Sequence, residues 1–272
     1  MNRIDALFAA LRREKRRALM PFITAGDPDL ETTRALIEEV VARGAAIVEV
    51  GLPYSDPIAD GPVIAASYTR ALRRGVRQSE ILATVRAIRD AAGDGPMATT
   101  PLVAMGSYSI VHRQGVEAFL GQLAGAGFDG IIVPDLPVEE SEGLAGLAAA
   151  VDLKLIQLIT PTTPRERAVR IARSTSGFIY YVSIAGITGE RRTLPPGLAE
   201  NVAWLRGQTD LPVCIGFGIG SAEQVRELAP VADGLIVGSA LVRRLADAAG
   251  RPRAEVVAEI GEFIAELAGA LG

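Results

Sequence analysis

The chain has 272 residues, 49% of them hydrophobic and 22% charged, with a formal net charge of −4. That length supplies core material for one large domain, and the mild acidic excess gives no reason to expect nucleic acid or an anionic membrane as a partner. Cys214 is the only cysteine, so no intrachain disulfide can form and a cytoplasmic setting is expected.

The opening stretch "MNRIDALFAALRREKRR" carries Ile4, Leu7, Phe8 and Leu11 at helical spacing around a basic run, Arg12 to Arg17. This predicts an extra N-terminal helix with a solvated basic face rather than a basic arm. The stretch lacks the apolar core and cleavage site of a signal peptide, and no later stretch is apolar enough for a membrane span. From Leu19 onward, short β-rich runs alternate with amphipathic stretches. The runs are "LMPFIT", "AIVEVG", "TPLVAM", "GIIVPD", "LKLIQLIT", "FIYYVS", "LPVCIGFG" and "GLIVGS". Helices are expected over 29–44, 79–93, 115–127, 138–150, 163–174, 197–208, 221–230 and 254–272. Ser79 and Ser221 stand at N-cap positions, and Gly44, Gly93 and Gly127 follow helix ends.

Strands apolar on both faces belong to a parallel sheet. Eight evenly spaced strand–helix units, in a chain near the ~250 residues usual for the fold, point to a (β/α)8 TIM barrel formed by residues 1–272 as a single domain. An open doubly wound sheet is the competing arrangement, but no composition shift or linker marks a second domain. The N-terminal helix is expected to cover the barrel floor.

In such barrels the chemistry lies at the C-terminal ends of the strands. Glu49 sits among Ile47, Val48 and Val50 near the end of the second run, and Asp60 lies in the loop that leaves it, "GLPYSDPIADGP". A carboxylate among aliphatic residues has a raised pKa suited to proton transfer, while a second acid in a wetter loop stays ionised. An interior acid held by a structural partner, and turn chemistry in "ADGP", are the plainer readings. "GFGIGS", Gly216 to Ser221, and "GSA", Gly238 to Ala240, follow the seventh and eighth runs, where backbone N–H groups at helix starts bind phosphate. The spacing GxGxG is not that of a dinucleotide fold. "IYYVSIAGITGERRTLPPG", Ile179 to Gly197, has the length and composition of a mobile lid and puts Tyr180 in the sixth strand. His112 is the only histidine, and neither HxxxH nor CxxC metal spacing occurs, so no metal site is expected. Trp204 and Cys214 read as packing residues.

"VEVGLPYSDPIADGP", "GFDGIIVPDLPVEES", "YYVSIAGITGERR" and "GFGIG" occur in an order and spacing that resemble the alpha subunits of tryptophan synthase, with likeness running from "MPFITAGDPDLETT" to "GLIVGSALV". The resemblance implies retro-aldol cleavage of indole-3-glycerol phosphate to indole and glyceraldehyde 3-phosphate, with no cofactor in this chain. It also implies a pyridoxal-phosphate beta subunit as partner in an alpha2beta2 heterotetramer. By the same resemblance Glu49 is the acid/base, Asp60 accepts the indole N–H, and Tyr180 stands near the reacting side chain. Phe22 and Ile64 line the indole pocket, and Gly189, Gly218, Gly238 and Ser239 hold phosphate, with Thr188 in the closing loop. The chain departs from the family at Ala65 and at Ser107, Ser109 and Ile110, the latter near the surface expected to dock the partner together with Asp56 and Pro134 to Pro137. Three other readings remain: a stand-alone lyase releasing free indole, a weakly catalytic barrel that activates its partner, and another phosphate-sugar barrel enzyme, which would share "GFGIG" but not "SDPIADGP".

Overall fold

The computed structural model describes residues 1–58, 60–182, 197–216 and 218–272. Eight strands close into a barrel in chain order: β1 (Ala18–Thr24), β2 (Val48–Gly51), β3 (Leu102–Met105), β4 (Gly130–Ile132), β5 (Lys154–Ile159), β6 (Ile179–Val182), β7 (Val213–Gly216) and β8 (Gly234–Val237). β8 pairs in parallel with β1, from Ala18 opposite Gly234 to Pro21 opposite Val237, so the sheet has no free edge.

The period of two along each strand divides the apolar residues between two cores. Met20, Ile47, Val103, Ile132, Ile156, Phe178, Cys214 and Ile236 point inward and fill the barrel. Their neighbours Leu19, Val48, Leu102, Ile131, Leu155, Ile179, Ile215 and Leu235 point outward, under the helices. Both faces are therefore buried, which is why the strands read as unbroken apolar runs.

Helix α1 (Arg3–Glu14) precedes the barrel and covers its floor. Asn2 Oδ1 accepts the Ile4 N–H at 2.9 Å, while its amide donates to the carbonyls of Asp129 and Asp152 at 2.9 and 2.6 Å. Ile4 is fully buried, and the Phe8 ring meets Phe178 at 5.9 Å between centroids. Arg12 and Arg13 lie in the last turn, where cations suit the negative end of the helix dipole.

The outer ring comprises α2 (Leu30–Ala42), α3 (Pro62–Arg73), α4 (Gln78–Asp90), α5 (Tyr108–Gln114), α6 (Val116–Ala126), α7 (Val138–Ala150), α8 (Arg165–Ser174), α9 (Leu198–Arg206), α10 (Ala222–Leu228), α11 (Ser239–Asp247) and α12 (Arg253–Gly269). Three of these, α3, α5 and α11, are additional to the helices expected from the sequence. α3 starts directly after the Asp60 loop with Pro62 in its first turn, a position that needs no N–H donor. It is held to the end of β1 by two contacts: Arg70 donates to both oxygens of buried Asp27 at 3.0 and 2.6 Å, and the hydroxyls of Thr24 and Ser67 are 2.6 Å apart.

Ser221 caps α10, its Oγ accepting the Gln224 N–H at 3.3 Å. The expectation for Ser79 is corrected. The N-cap lies two residues earlier, at Arg77, so that α4 begins at Gln78, and the Glu80 carboxylate accepts the Arg77 N–H at 2.8 Å. The Glu80 carboxylate, by accepting the Arg77 N–H, thus fixes the helix start expected at Ser79. Gly127 ends α6 in the left-handed conformation, and Gly44 and Gly93 follow their helix ends with positive φ. No helix among the described residues is long and apolar enough to cross a membrane.

Candidate active site

Glu49 lies two residues from the C-terminal end of β2, in register with Phe22 of β1 and Val103 of β3. It occupies an inward position beyond Ile47, so its side chain is inside the barrel and only 1% exposed. Neither carboxylate oxygen has a hydrogen-bond partner among the described residues. Burial alone pushes its pKa up to about 8, because the charged form has lost water and gained nothing in return. Glu49 therefore holds a proton at neutral pH and can give it up near that pH.

Asp60 is in a different environment. It is partly buried in the loop between β2 and α3, and Tyr54 of the same loop donates its hydroxyl to Asp60 Oδ2 at 2.7 Å. Burial is the largest influence and raises the pKa; the Tyr54 hydrogen bond lowers it and the charge of Asp135 raises it, leaving a value of about 6. The two acids are separated in proton affinity by their surroundings: near pH 7 Glu49 is mainly protonated and Asp60 mainly ionised.

Tyr180 is buried at an inward position of β6, its ring packed over Gly216 of β7. A Cβ at Gly216 would come within 2.5 Å of the ring carbon Cζ, so only glycine leaves room for this ring. Burial raises the Tyr180 pKa most, followed by the charges of Glu49 and Asp60. The three groups thus lie within electrostatic reach at one end of the barrel.

Next to them is an apolar cluster of Phe22, Tyr54, Ile64, Tyr68 and Val242, bordered by Met105 and Ile110. Gly238 adjoins it: a Cβ there would lie 3.7 Å from Phe22 Cβ and 4.0 Å from Ile64 Cδ1. Gly238 is also the N-cap of α11, and Ser239 is the first residue of that helix, so free N–H groups of the first turn border the cluster. Gly218 follows β7 with φ +81°, a conformation suited to glycine. The N–H of Gly220, two residues on, is engaged by Gln224 Oε1 at 2.8 Å. Phe22, Glu49, Asp60, Ile64, Tyr180, Gly238 and Ser239 are therefore gathered at the C-terminal face of the strands. Thr188, Gly189 and the expected lid lie outside the described residues.

Tyr54 and Tyr68 have no role in the sequence reading, and Asp135 enters it only within Pro134 to Pro137, the segment expected to dock the partner. Tyr54 lies in plain sight in "LPYSDP", but its partner is six residues on, across an irregular loop. Tyr68 is four residues from Ile64, a spacing that becomes a signal only once α3 is known to be a helix. Asp135 accepts the Ser107 hydroxyl at 2.7 Å and the Tyr108 N–H at 2.8 Å, so it fixes the start of α5. Ile110 packs against the apolar cluster, so the departures at 107–110 bear on the pocket wall as well as on an outer surface.

The remaining singletons are elsewhere. His112 is exposed on α5, its ring 6.0 Å from that of Tyr108. Trp204 is half-buried under the Arg165 guanidinium, and Cys214 is buried in the barrel interior. No group of three or more His, Cys, Asp or Glu among the described residues is arranged to hold a metal ion.

The family described as tryptophan synthase alpha chain matches residues 8–270. The tryptophan synthase alpha chain of Rhodopirellula baltica is 52% identical over 248 residues, covering 91% of this chain and 88% of its own. Among solved structures, tryptophan synthase subunit alpha from Legionella pneumophila superposes with a TM-score of 0.89 at 34% identity, covering 100% of this chain and 98% of that one. A chain of the tryptophan synthase complex from Pyrococcus furiosus superposes with a TM-score of 0.83 at 33% identity, covering 93% and 98%. With a full-length family match, close relatives and a shared barrel, this chain belongs to the tryptophan synthase alpha chain family.

Proposed function

We propose that this chain cleaves indole-3-glycerol phosphate to indole and glyceraldehyde 3-phosphate by a retro-aldol reaction, as the alpha subunit acting in tryptophan biosynthesis. The observation that carries this reading is the pair of acids, Glu49 inside the barrel with a pKa of about 8 and no hydrogen-bond partner among the described residues, and Asp60 in the loop with a pKa of about 6. The reaction needs a proton delivered to indole C3, which makes the ring an indolenine with positive charge at nitrogen. The substrate's side-chain hydroxyl then loses its proton, its electrons form the aldehyde, and the carbon–carbon bond electrons return to the ring. Protonated Glu49 supplies the first proton and, as a carboxylate, takes the second, so it ends as it began. Ionised Asp60 accepts the indole N–H and offsets the charge at nitrogen. Phe22 and Ile64 supply an apolar wall for the indole, and the start of α11 with Gly218 supplies N–H donors for the phosphate.

The solved complex from Pyrococcus furiosus supports a beta-subunit partner for this chain as well. Asp56 and exposed Ile58 lie in the loop that also carries Asp60, so a partner seated on this loop would order the residue that faces the substrate. The test is indole release from indole-3-glycerol phosphate by the full-length chain, alone and with its beta subunit. The active form has Glu49 protonated and Asp60 ionised, so kcat/KM should be bell-shaped with limbs near 6 and 8. Glu49→Gln should lower turnover by at least ~10²–10⁴-fold while substrate still binds. Near-native turnover in that variant would remove the acid/base role. High turnover that the beta subunit leaves unchanged would favour a stand-alone lyase.

A further inference from the structure

Tyr54 is the one side chain among the described residues that hydrogen-bonds the Asp60 carboxylate, at 2.7 Å. Its ring is buried, with 9% exposure, and sits against Tyr68 at 5.2 Å between centroids and 48° between planes. Tyr68 is in turn fully buried on α3, which Arg70 and Ser67 fasten to the end of β1. Tyr54 shares the irregular loop of Asp60, but its ring is packed against a rigid element, α3, through Tyr68.

We propose that Tyr54 is a positioning residue for the lyase reaction: its hydroxyl fixes the aim of Asp60 and keeps it ionised, and the Tyr68 ring and α3 hold the phenol in place. This rests on the role proposed above for Asp60. A phenylalanine would fill the same space and bury the same ring area, so packing alone does not call for the hydroxyl. A buried hydroxyl is costly unless it is satisfied, and here it donates to the acid that must carry charge.

Several groups act on Asp60. Tyr54 stabilises its charged form through the hydrogen bond, and Asp135, from the segment after β4, opposes ionisation. Tyr68 of α3 and Tyr180 of β6 both sense the Asp60 charge, and both also sense Glu49 of β2. Of the neighbours recorded as acting on Asp60, Tyr54 alone favours ionisation. Removing its hydroxyl must raise the Asp60 pKa and free the loop carboxylate to turn.

The experiment compares kcat/KM for indole-3-glycerol phosphate across pH 5–9 in the native chain and in Tyr54→Phe, each with its beta subunit. Loss of the hydrogen bond should move the acidic limb up by about one unit, so the variant's loss should be about fivefold greater at pH 6 than near pH 8, where Asp60 is ionised in both chains and only the loss of aim remains. The alkaline limb, which belongs to Glu49, should stay in place. An acidic limb that does not move, or a loss that is equal at every pH, would overturn the proposal and return Tyr54 to packing. Carbon-13 NMR titration of the Asp60 carboxyl, assigned with Asp60→Asn, reads the same shift without turnover. A native chain that released no indole would therefore defeat the lyase reading, yet the positioning claim would still stand or fall on the titration.

Discussion

Glu49, the acid proposed for proton transfer, also bears on stability. In the unfolded chain its carboxyl ionises near its ordinary value of 4.5, whereas in the fold burial holds the proton up to about pH 8. The folded state therefore binds a proton that the unfolded state has already lost, and stability must fall as pH rises between these two values. The contribution is complete below about pH 4.5 and gone once the pH passes about 8. A glutamine at this position fills nearly the same volume and never ionises. Glu49→Gln should therefore be progressively more stable than the native chain from pH 5 to pH 8, reaching a few kcal/mol, with no further divergence above that. Denaturant melts at a series of pH values measure this directly. A constant difference across the range would mean that Glu49 has a partner in solution and is not desolvated as the fold implies.

At the scale of elements, α3 links the two halves of the site, since Ile64 and Tyr68 face the apolar cluster while the helix begins at the end of the Asp60 loop. Its position depends on the paired contact of Arg70 with Asp27, whose side chain is 5% exposed. Arg70→Met keeps the helical propensity and the aliphatic stem but leaves a buried carboxylate without its cation, at a cost of about 1–3 kcal/mol. The helix should shift away from β1, and KM for the substrate should rise more than kcat falls, because the pocket wall moves while Glu49 on β2 does not. Equal KM in the variant would show that α3 is held by its apolar face alone. The existence of α3 was not legible in the sequence. "PVIAASYTRALR" follows a Pro- and Gly-rich loop and opens with β-branched residues, so the run reads as part of the connection between β2 and the next helix. α5 has seven residues, and α11 begins at the Gly238 turn that was read for phosphate, so both were hidden by the motif they follow. The strands were legible because each is buried on both faces, which leaves an apolar run that no helix of the same length imitates. Glu49 was legible for the same reason, as the one acid inside any of the eight strands. The bond from Tyr54 to Asp60 was not, since an irregular loop gives no period from which to infer which side chains meet.

Across the whole molecule the barrel divides its labour between two faces. The candidate site lies at the C-terminal ends of the strands. The opposite end carries a buried polar network around Asp129, which accepts from Arg3 and Arg89 at 2.9 and 2.8 Å and from the Leu102 N–H at 2.9 Å. Desolvation lowers the Arg89 pKa to about 10, a partial cost of burying the guanidinium, while the Asp129 charge works in its favour. α1 closes this end, and the fully buried Ile4 comes close to the backbone of two glycines: a Cβ on Gly130 would lie 3.0 Å from Ile4 Cδ1, and one on Gly177 would lie 3.3 Å from Ile4 Cγ2. Glycine at these strand entries lets the helix descend onto the floor, so Ile4 seals the interior layer that begins with Ile47 and Phe178. Ile4→Ala would open a cavity that the surrounding strands cannot close, because they are fixed by barrel pairing on both sides. The loss should be about 2–5 kcal/mol, or roughly 5–15 °C in Tm. Glu49 lies one layer further up, beyond Ile47, and its position is set by the register of β2 between β1 and β3, which the floor cavity does not touch. The variant should therefore keep kcat/KM within about twofold of the native chain at temperatures well below its melting point, as expected when the floor of a barrel serves stability and its opposite face serves chemistry. Thermal melts and indole-release assays on the same preparation separate the two effects. A large fall in activity with Tm unchanged would mean that α1 acts on the site through the barrel interior.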